Sequence, residues 1–319
     1  MENNLKYEFI TKFYLASGKY KFKIEYYFDP TFTNSTILIH GFNDFHYNDL
    51  LSKQLLLNKS NVFLLTLRNY DGMQQLEPQF YINNLKKYFI EINTTIELIT
   101  SLILSKIHDI YLMGHSTGGL TSIAYCYEGD YKSKITKLIL NSPFLDFNNS
   151  CIEEFYLKTI GQIIGYFFPL SCLNKSKLDN SFPSWINDSI SKELQTNDLI
   201  ENINVKKSIV NVSGKYNGWM YAVRHYHLLI QNRMINLNIP IYVFQSNKNG
   251  VGGDNTLNVS EISKYSSLLS KNKSLINHYY IKNGLHNVFS SNNDSRKQAF
   301  DILNEIYNSQ TNTTSFSDL

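Results

Sequence analysis

Cysteine is scarce. The chain of 319 residues holds three, Cys126, Cys151 and Cys172. Their number is odd and no spacing resembles a zinc site, so free, buried thiols in a reducing compartment are expected, and no bound metal. Dense runs of lysine and arginine are also missing. Lys206-Lys207 is an isolated pair, and the formal net charge is only +3. A nucleic-acid surface needs a clustered basic face, so no nucleic-acid partner is expected. No stretch reaches the roughly 18 apolar residues of a membrane span. The nearest, "TIGQIIGYFFPLSCL" from Thr159 to Leu173, is broken by Gln162, two glycines and Pro169. It suits peripheral contact with a lipid surface and not a crossing. The first residues, "MENNLKYEFI", show no basic start followed by an apolar core. No signal peptide is read there, and a cytoplasmic location is expected.

What the chain does have is apolar material: 43% of its residues are hydrophobic. That length and composition can bury one large α/β core or two smaller ones. "KYEFITKFYL" and "YKFKIEYYF", parted by "ASGK", predict a hairpin. "STILIHGF", "NVFLLTL", "DIYLMG", "ITKLILNSP", "PIYVFQS" and "INHYYIK" predict further strands, several of them continuous apolar runs of the buried kind. Helical spacing of Leu85, Tyr88, Phe89, Ile92, Ile96 and Ile99 predicts a helix over about residues 81–106, "GGLTSIAYCY" a second, and residues 294–307 a last one. Buried strands alternating with helices predict an α/β fold, a mostly parallel central sheet with helices on both faces. Residues 147–238 break the rhythm and read as a helical lid insertion. Residues 1–146 and 239–310 would then form the core, and residues 311–319 a flexible tail.

"YLMGHSTGGL", residues 111–120, sets Ser116 between Gly114 and Gly118. A strand that turns sharply into a helix forces the turn residue into strained geometry, and its neighbours two before and two after must be small. The turn lifts the serine hydroxyl clear of the sheet end. A serine needs a base to become a nucleophile, and the base needs an orienting acid. In this kind of sheet the order along the chain is serine, acid, histidine. His286, in "KNGLHNVFS", follows the last strand in a turn and is the candidate base. Asp254 is the only carboxylate in the loop "NKNGVGGDNTLNV" and is the candidate acid. Asp146, in "SPFLDF", is its rival; otherwise it caps or supports the insertion. Backbone N–H groups of Thr117 and of Phe42, in "LIHGFND", are the candidate donors to an oxyanion. His40 is read as structural.

"LIHGF", "GHSTGGL", "NSPFLDF", "GDNTLNV" and "NGLHNVFSS", in this order, resemble the α/β-hydrolase superfamily, in particular its branch of monoacylglycerol lipases, lysophospholipases and serine aminopeptidases. The resemblance runs from about residue 36 to residue 307 and implies the α/β-hydrolase fold, with Ser116 as nucleophile, Asp254 as acid and His286 as base. It implies no cofactor. Two positions depart from the branch. Asn287 stands where an aspartate usually follows the histidine, which implies a changed local hydrogen bond. Asn69-Tyr70-Asp71-Gly72 follows Arg68 in place of Gly-His-Gly.

A serine nucleophile suits esters and thioesters, and amides less readily. The insertion is apolar and aromatic, and a face of Ile160, Ile163, Ile164, Phe167 and Phe168 recurs at helical spacing. Phe167 and Phe168 are therefore expected to bind an acyl chain over Ser116. The expected function is hydrolysis of small-molecule acyl esters, lipid esters such as monoacylglycerols or lysophospholipids among them, through an acyl-enzyme. The alternatives are an aminopeptidase, with Glu153 and Glu154 holding the substrate ammonium, and a non-catalytic binding protein on the same scaffold. The oligomeric state is left open.

Overall fold

The computed structural model describes residues 7–42, 44, 49–70, 76–103, 108–147, 151–176 and 213–309. Along the chain come β1 (Ile10–Ala16), β2 (Tyr20–Tyr27), β3 (Asn34–Ile39), α1 (Asp49–Leu57), β4 (Ser60–Thr66), α2 (Phe89–Leu102), β5 (Asp109–His115), α3 (Thr117–Glu128) and β6 (Ile135–Asn141). The insertion contributes α4 (Cys151–Lys158), α5 (Ile160–Phe167), β7 (Cys172–Ser176), β8 (Ser213–Tyr216) and α6 (Asn217–Gln231). The chain then returns through β9 (Ile241–Ser246), α7 (Val259–Ser266), β10 (Ile276–Ile281) and α8 (Asn293–Asn308).

Eight strands form one sheet in the order β1-β2-β4-β3-β5-β6-β9-β10. From β4 to β10 every pairing is parallel; β1 and β2 are the antiparallel hairpin at one end. The unalternating apolar runs lie in the middle, as two covered faces require. β3 is buried throughout. Its Ile37 and Ile39 pack with Ile92 and Ile96 of α2 and Leu120 and Ile123 of α3. Leu38 points the other way, to Leu55 of α1 and Leu303 of α8. This is the α/β-hydrolase fold.

The helix expected from residue 81 begins later. Tyr81 and Ile82 are buried without being helical. Asn84 is extended, and its side chain accepts the N–H of Lys86, which opens a 3₁₀ turn at Leu85–Tyr88 before α2 starts. An asparagine side chain takes an orphan donor this way at helix starts, and apolar spacing alone does not reveal it. The last helix runs as expected to within a residue at each end. Residues 104–107, at the end of the expected long helix, residues 177–212 of the insertion and the tail from residue 310 lie outside the described residues.

In the insertion, β7 and β8 pair only with each other. α5 packs on α6 through glycine: a side chain at position 165 would meet the carbonyl of Asn217 and Cβ of Tyr221. Its larger side chains face outward, and Ile163, Phe167 and Phe168 are exposed. Among the described residues no helix is long and apolar enough to cross a membrane.

Arg68, just past β4, forms a buried forked pair with Glu91 of α2. Nε lies 2.5 Å from one carboxylate oxygen and Nη2 3.1 Å from the other. Nη2 also donates to the Lys87 carbonyl at 2.7 Å. Burial pushes the Glu91 carboxyl up, against the pull of Arg68. Removing one member strands a buried group, at a cost of about 3–5 kcal/mol, whereas removing both with apolar replacements is close to neutral. Arg68→Met should therefore lower the urea midpoint sharply, and Arg68→Met with Glu91→Leu should recover most of the loss. Equal midpoints for the single and double variants would show that the pair is not the anchor.

Candidate active site

Ser116 is the hinge between β5 and α3. Its φ of 53° and ψ of −117° lie where side chains are rarely found, a strain of about 1–3 kcal/mol. The flanking glycines are a steric requirement. A Cβ at position 114 would strike the Gly118 carbonyl and the Ser122 hydroxyl. One at position 118 would strike the carbonyls of Ile39 and His40, so α3 rests directly on the end of β3. The strained residue is pinned by its own backbone. Its N–H donates to the Asn141 carbonyl at 3.0 Å, and its carbonyl accepts from Gly119 and Phe144, each at 3.0 Å.

The acid and the histidine come from the far side of the sheet. Asp254 lies in the loop after β9, and one oxygen accepts the N–H groups of Thr256 and Leu257 at 2.8 and 2.9 Å. Its other oxygen meets His286 Nδ1 at 3.0 Å. Burial would raise this carboxyl, but His286 and the two amides hold it below the usual range. Asp254 is therefore an anion that fixes one nitrogen of His286. The His286 ring lies 4.9 Å, centre to centre, from that of His115, the residue bonded to Ser116. Ser116, His286 and Asp254 thus lie at the same end of the parallel strands.

The loop after β3 closes the group. A Cβ on Gly41 would stand 3.2 Å from that of Ser116. Asp44 fixes this loop: one carboxylate oxygen accepts the Gly41 N–H at 3.1 Å and meets His115 Nδ1 at 2.8 Å. Burial works to raise the Asp44 carboxyl, but His115, His40 and the Gly41 amide keep it below the usual range. His115 is itself pushed down, by burial first, against the pull of Asp44. Nothing in the sequence marks Asp44, which sits in a polar loop with no periodicity. His40 ties the same loop to β4, with Nδ1 2.9 Å from the Gly41 carbonyl and Nε2 accepting the Leu67 N–H at 3.2 Å. The two candidate oxyanion donors flank Ser116: Phe42 follows Gly41, and Thr117 opens α3, where a helix leaves its first N–H groups without intrahelical partners.

Residues 34–290 match the family model described as "Serine aminopeptidase, S33". The chain belongs to this family. No curated protein matches it. Among solved structures it is similar to a soluble variant of the monoglyceride lipase of Saccharomyces cerevisiae in complex with a substrate analogue, at 15% identity, a TM-score of 0.72 and 96% of both chains covered. The monoacylglycerol lipase of Paleococcus ferrophilus follows at 14% identity and a TM-score of 0.60, covering 94% of this chain and 98% of that one. Est1E of Butyrivibrio proteoclasticus with bound ferulic acid is 16% identical, with a TM-score of 0.54 and 94% and 97% covered.

In this member of the serine aminopeptidase family two groups of aromatic side chains stand out in and around residues 147–238. Phe167 and Phe168 are each 66% exposed on the outer face of α5, because the inner face is glycine. Trp219 of α6 instead lies 4.5 Å from Phe42 and 6.1 Å from Phe144, centre to centre. Periodicity could not single out Trp219, which is one of ten buried positions along α6. The rival acid, Asp146, sits at the root of the insertion. Its two oxygens meet Lys158 of α4 and Arg224 of α6, each at 3.3 Å. The side chains of Glu153 and Glu154 lie outside the described residues.

His227 of α6 stands beside this ion cluster, fully buried between the rings of Phe144 and Phe147. Its Nε2 lies 2.9 Å from the Phe144 carbonyl. Burial pushes its pKa down to about 4, Asp146 and the Phe144 carbonyl opposing, Arg224 and Lys158 assisting. The folded protein therefore keeps His227 neutral while the unfolded chain, titrating near 6.5, takes up a proton. The unfolded state binds more protons in that window, so this contribution to stability is present above about pH 6.5 and is lost as pH falls toward 4. His227→Gln keeps a donor for Phe144 and removes the titration. Denaturation midpoints at about pH 7.5 and 5 should differ less in the variant than in the parent. An unchanged pH dependence would show that His227 titrates alike in both states.

Proposed function

We propose that this chain is a serine hydrolase that cleaves carboxylic esters with apolar acyl groups through an acyl-enzyme. The observation that carries this reading is the buried Asp254–His286 pair at the same end of the sheet as a serine held in strained geometry, whose neighbour His115 lies 4.9 Å from His286, ring centre to ring centre. Ser116 Oγ attacks the ester carbonyl while His286 Nε2 takes its proton. Asp254 on Nδ1 keeps the ring in the tautomer that leaves Nε2 basic, and balances the imidazolium that forms. The N–H groups of Phe42 and Thr117 hold the tetrahedral oxyanion, each such donor contributing about 3–4 kcal/mol. His286 returns the proton to the departing alcohol. Water then repeats the sequence on the acyl-enzyme, releasing the acid and Ser116.

Residues 147–238 act as a lid in this reading. Phe42, Phe144 and Trp219 supply the apolar wall for the acyl chain. The outward face of α5 (Ile160, Ile163, Tyr166, Phe167, Phe168) rests on the surface of a lipid substrate. Exposed apolar groups in one patch mark interaction surfaces. The fold shared with two monoacylglycerol lipases supports a lipid ester without requiring one. The family description keeps amide cleavage as a second reading.

Ser116→Ala should remove nearly all esterase activity, a loss on the order of 10⁶ in turnover where such a nucleophile has been removed, without lowering the melting temperature. Asp254→Asn should cost about 10⁴ and Asp146→Asn far less. Activity of Ser116→Ala within tenfold of the parent rejects the assignment, and an exchange of the two aspartate effects makes Asp146 the acid.

Across esters of graded acyl length, kcat/KM should rise by up to about fourfold per methylene, the equivalent of ~0.8 kcal/mol, and Trp219→Ala should flatten the rise. Phe167→Ser with Phe168→Ser should weaken binding to phosphatidylcholine vesicles and leave turnover of a soluble butyrate ester near the parent value. A parent that cleaves amino-acid amides better than any ester moves the aminopeptidase reading to first place.

A further inference from the structure

His286 is gripped from two sides. Asp254 holds its ring; the backbone that follows it is held by Asn141, the last residue of β6 and 1% exposed. Asn141 Nδ2 donates to Asn287 Oδ1 at 2.8 Å, and Asn141 Oδ1 accepts the Val288 N–H at 3.2 Å. The carbonyl of the same Asn141 accepts the Ser116 N–H at 3.0 Å. One residue therefore ties the backbone of the candidate nucleophile to both residues that follow the candidate base. It does so from the end of a central strand, the least mobile kind of element.

The hydrogen-bond chemistry of the two asparagines is unequal. Asn141 must donate and accept at once, which an amide does and a carboxylate does not. Asn287 uses only its oxygen in this network: Oδ1 takes the Asn141 amide and also the Phe289 N–H at 3.2 Å. The backbone donors of Val288 and Phe289 fix which way both amides point. An aspartate at 287 would keep both bonds; an aspartate at 141 would set oxygen against oxygen.

We propose that Asn141 is a positioning residue for the reaction, a clasp that sets the distance between Ser116 and His286 through Asn287 and Val288. This rests on the reading of Ser116 and His286 as nucleophile and base. Displacement of a catalytic group by about 1 Å can cost on the order of 10²-fold in rate. The clasp touches no substrate, so its loss should fall on kcat and spare KM.

The test compares Asn141→Asp, Asn287→Leu and Asn287→Asp with the parent. The measurements are kcat and KM on a soluble butyrate ester, the rate of covalent labelling by a fluorophosphonate probe, and thermal unfolding. Asn141→Asp and Asn287→Leu are expected to lose about 10- to 100-fold in kcat and in labelling rate with KM little changed. Asn287→Asp, which keeps the acceptor, should stay within a fewfold of the parent. If Asn141→Asp does not fold, the contrast between the two variants at 287 carries the test. Equal losses for Asn287→Asp and Asn287→Leu, or a folded Asn141→Asp that turns over and labels like the parent, overturn the clasp alone. A parent that neither hydrolyses the ester nor is labelled at Ser116 overturns the reaction as well.

Discussion

The site hangs on a contact between backbones. At position 118 the first turn of α3 lies against the carbonyls of Ile39 and His40, with no room for a side chain. That contact places the strained Ser116 beside the loop that leaves β3, and brings the amide of Phe42 to the same edge. Side chains elsewhere adjust by changing rotamer. Here the packing is main chain on main chain, and only glycine permits it. Asp44, His115 and His40 then brace a geometry that the glycines have already imposed.

Two acid–imidazole pairs stand side by side, Asp254–His286 and Asp44–His115, with their rings 4.9 Å apart. They have different duties. His286 has to accept a proton during the proposed reaction. A second cation at that distance, in a setting of low dielectric, would oppose it. Burial keeps His115 toward its neutral form. Its Nδ1 is committed to Asp44, which in turn steadies the Gly41 amide. The neighbouring pair can thus organise the loop without charging against the base.

Much of this was legible in the sequence, for definable reasons. Strands buried on both faces are continuous apolar runs, so β3, β4, β5, β6 and β9 announce themselves. Ser116 is marked by the steric demand of its turn, and Asp254 and His286 by their places after consecutive strands. The clasp was not legible. Asn141 reads as an ordinary strand end, and its partners are 146 and 147 residues away in the chain. Asn287 could be recognised as a departure, but not what it meets. The direction in which the apolar face of α5 points was not legible either. Periodicity reveals that one side of a helix is apolar, and close packing through Gly161 and Gly165 turned that side outward.

The strand order also divides the site along the chain. β1 to β6 lie within the first 141 residues and supply six of the eight strands of the sheet, with at most moderate separations along the chain. β9 docks on β6 only after about 100 intervening residues have been accommodated, and closing a loop of that length is entropically costly and slow. Ser116 and the loop holding Asp44 belong to the first six strands; Asp254 and His286 follow the last two, β9 and β10. A chain that ended before β9 would present the serine turn with neither Asp254 nor His286 to place beside it.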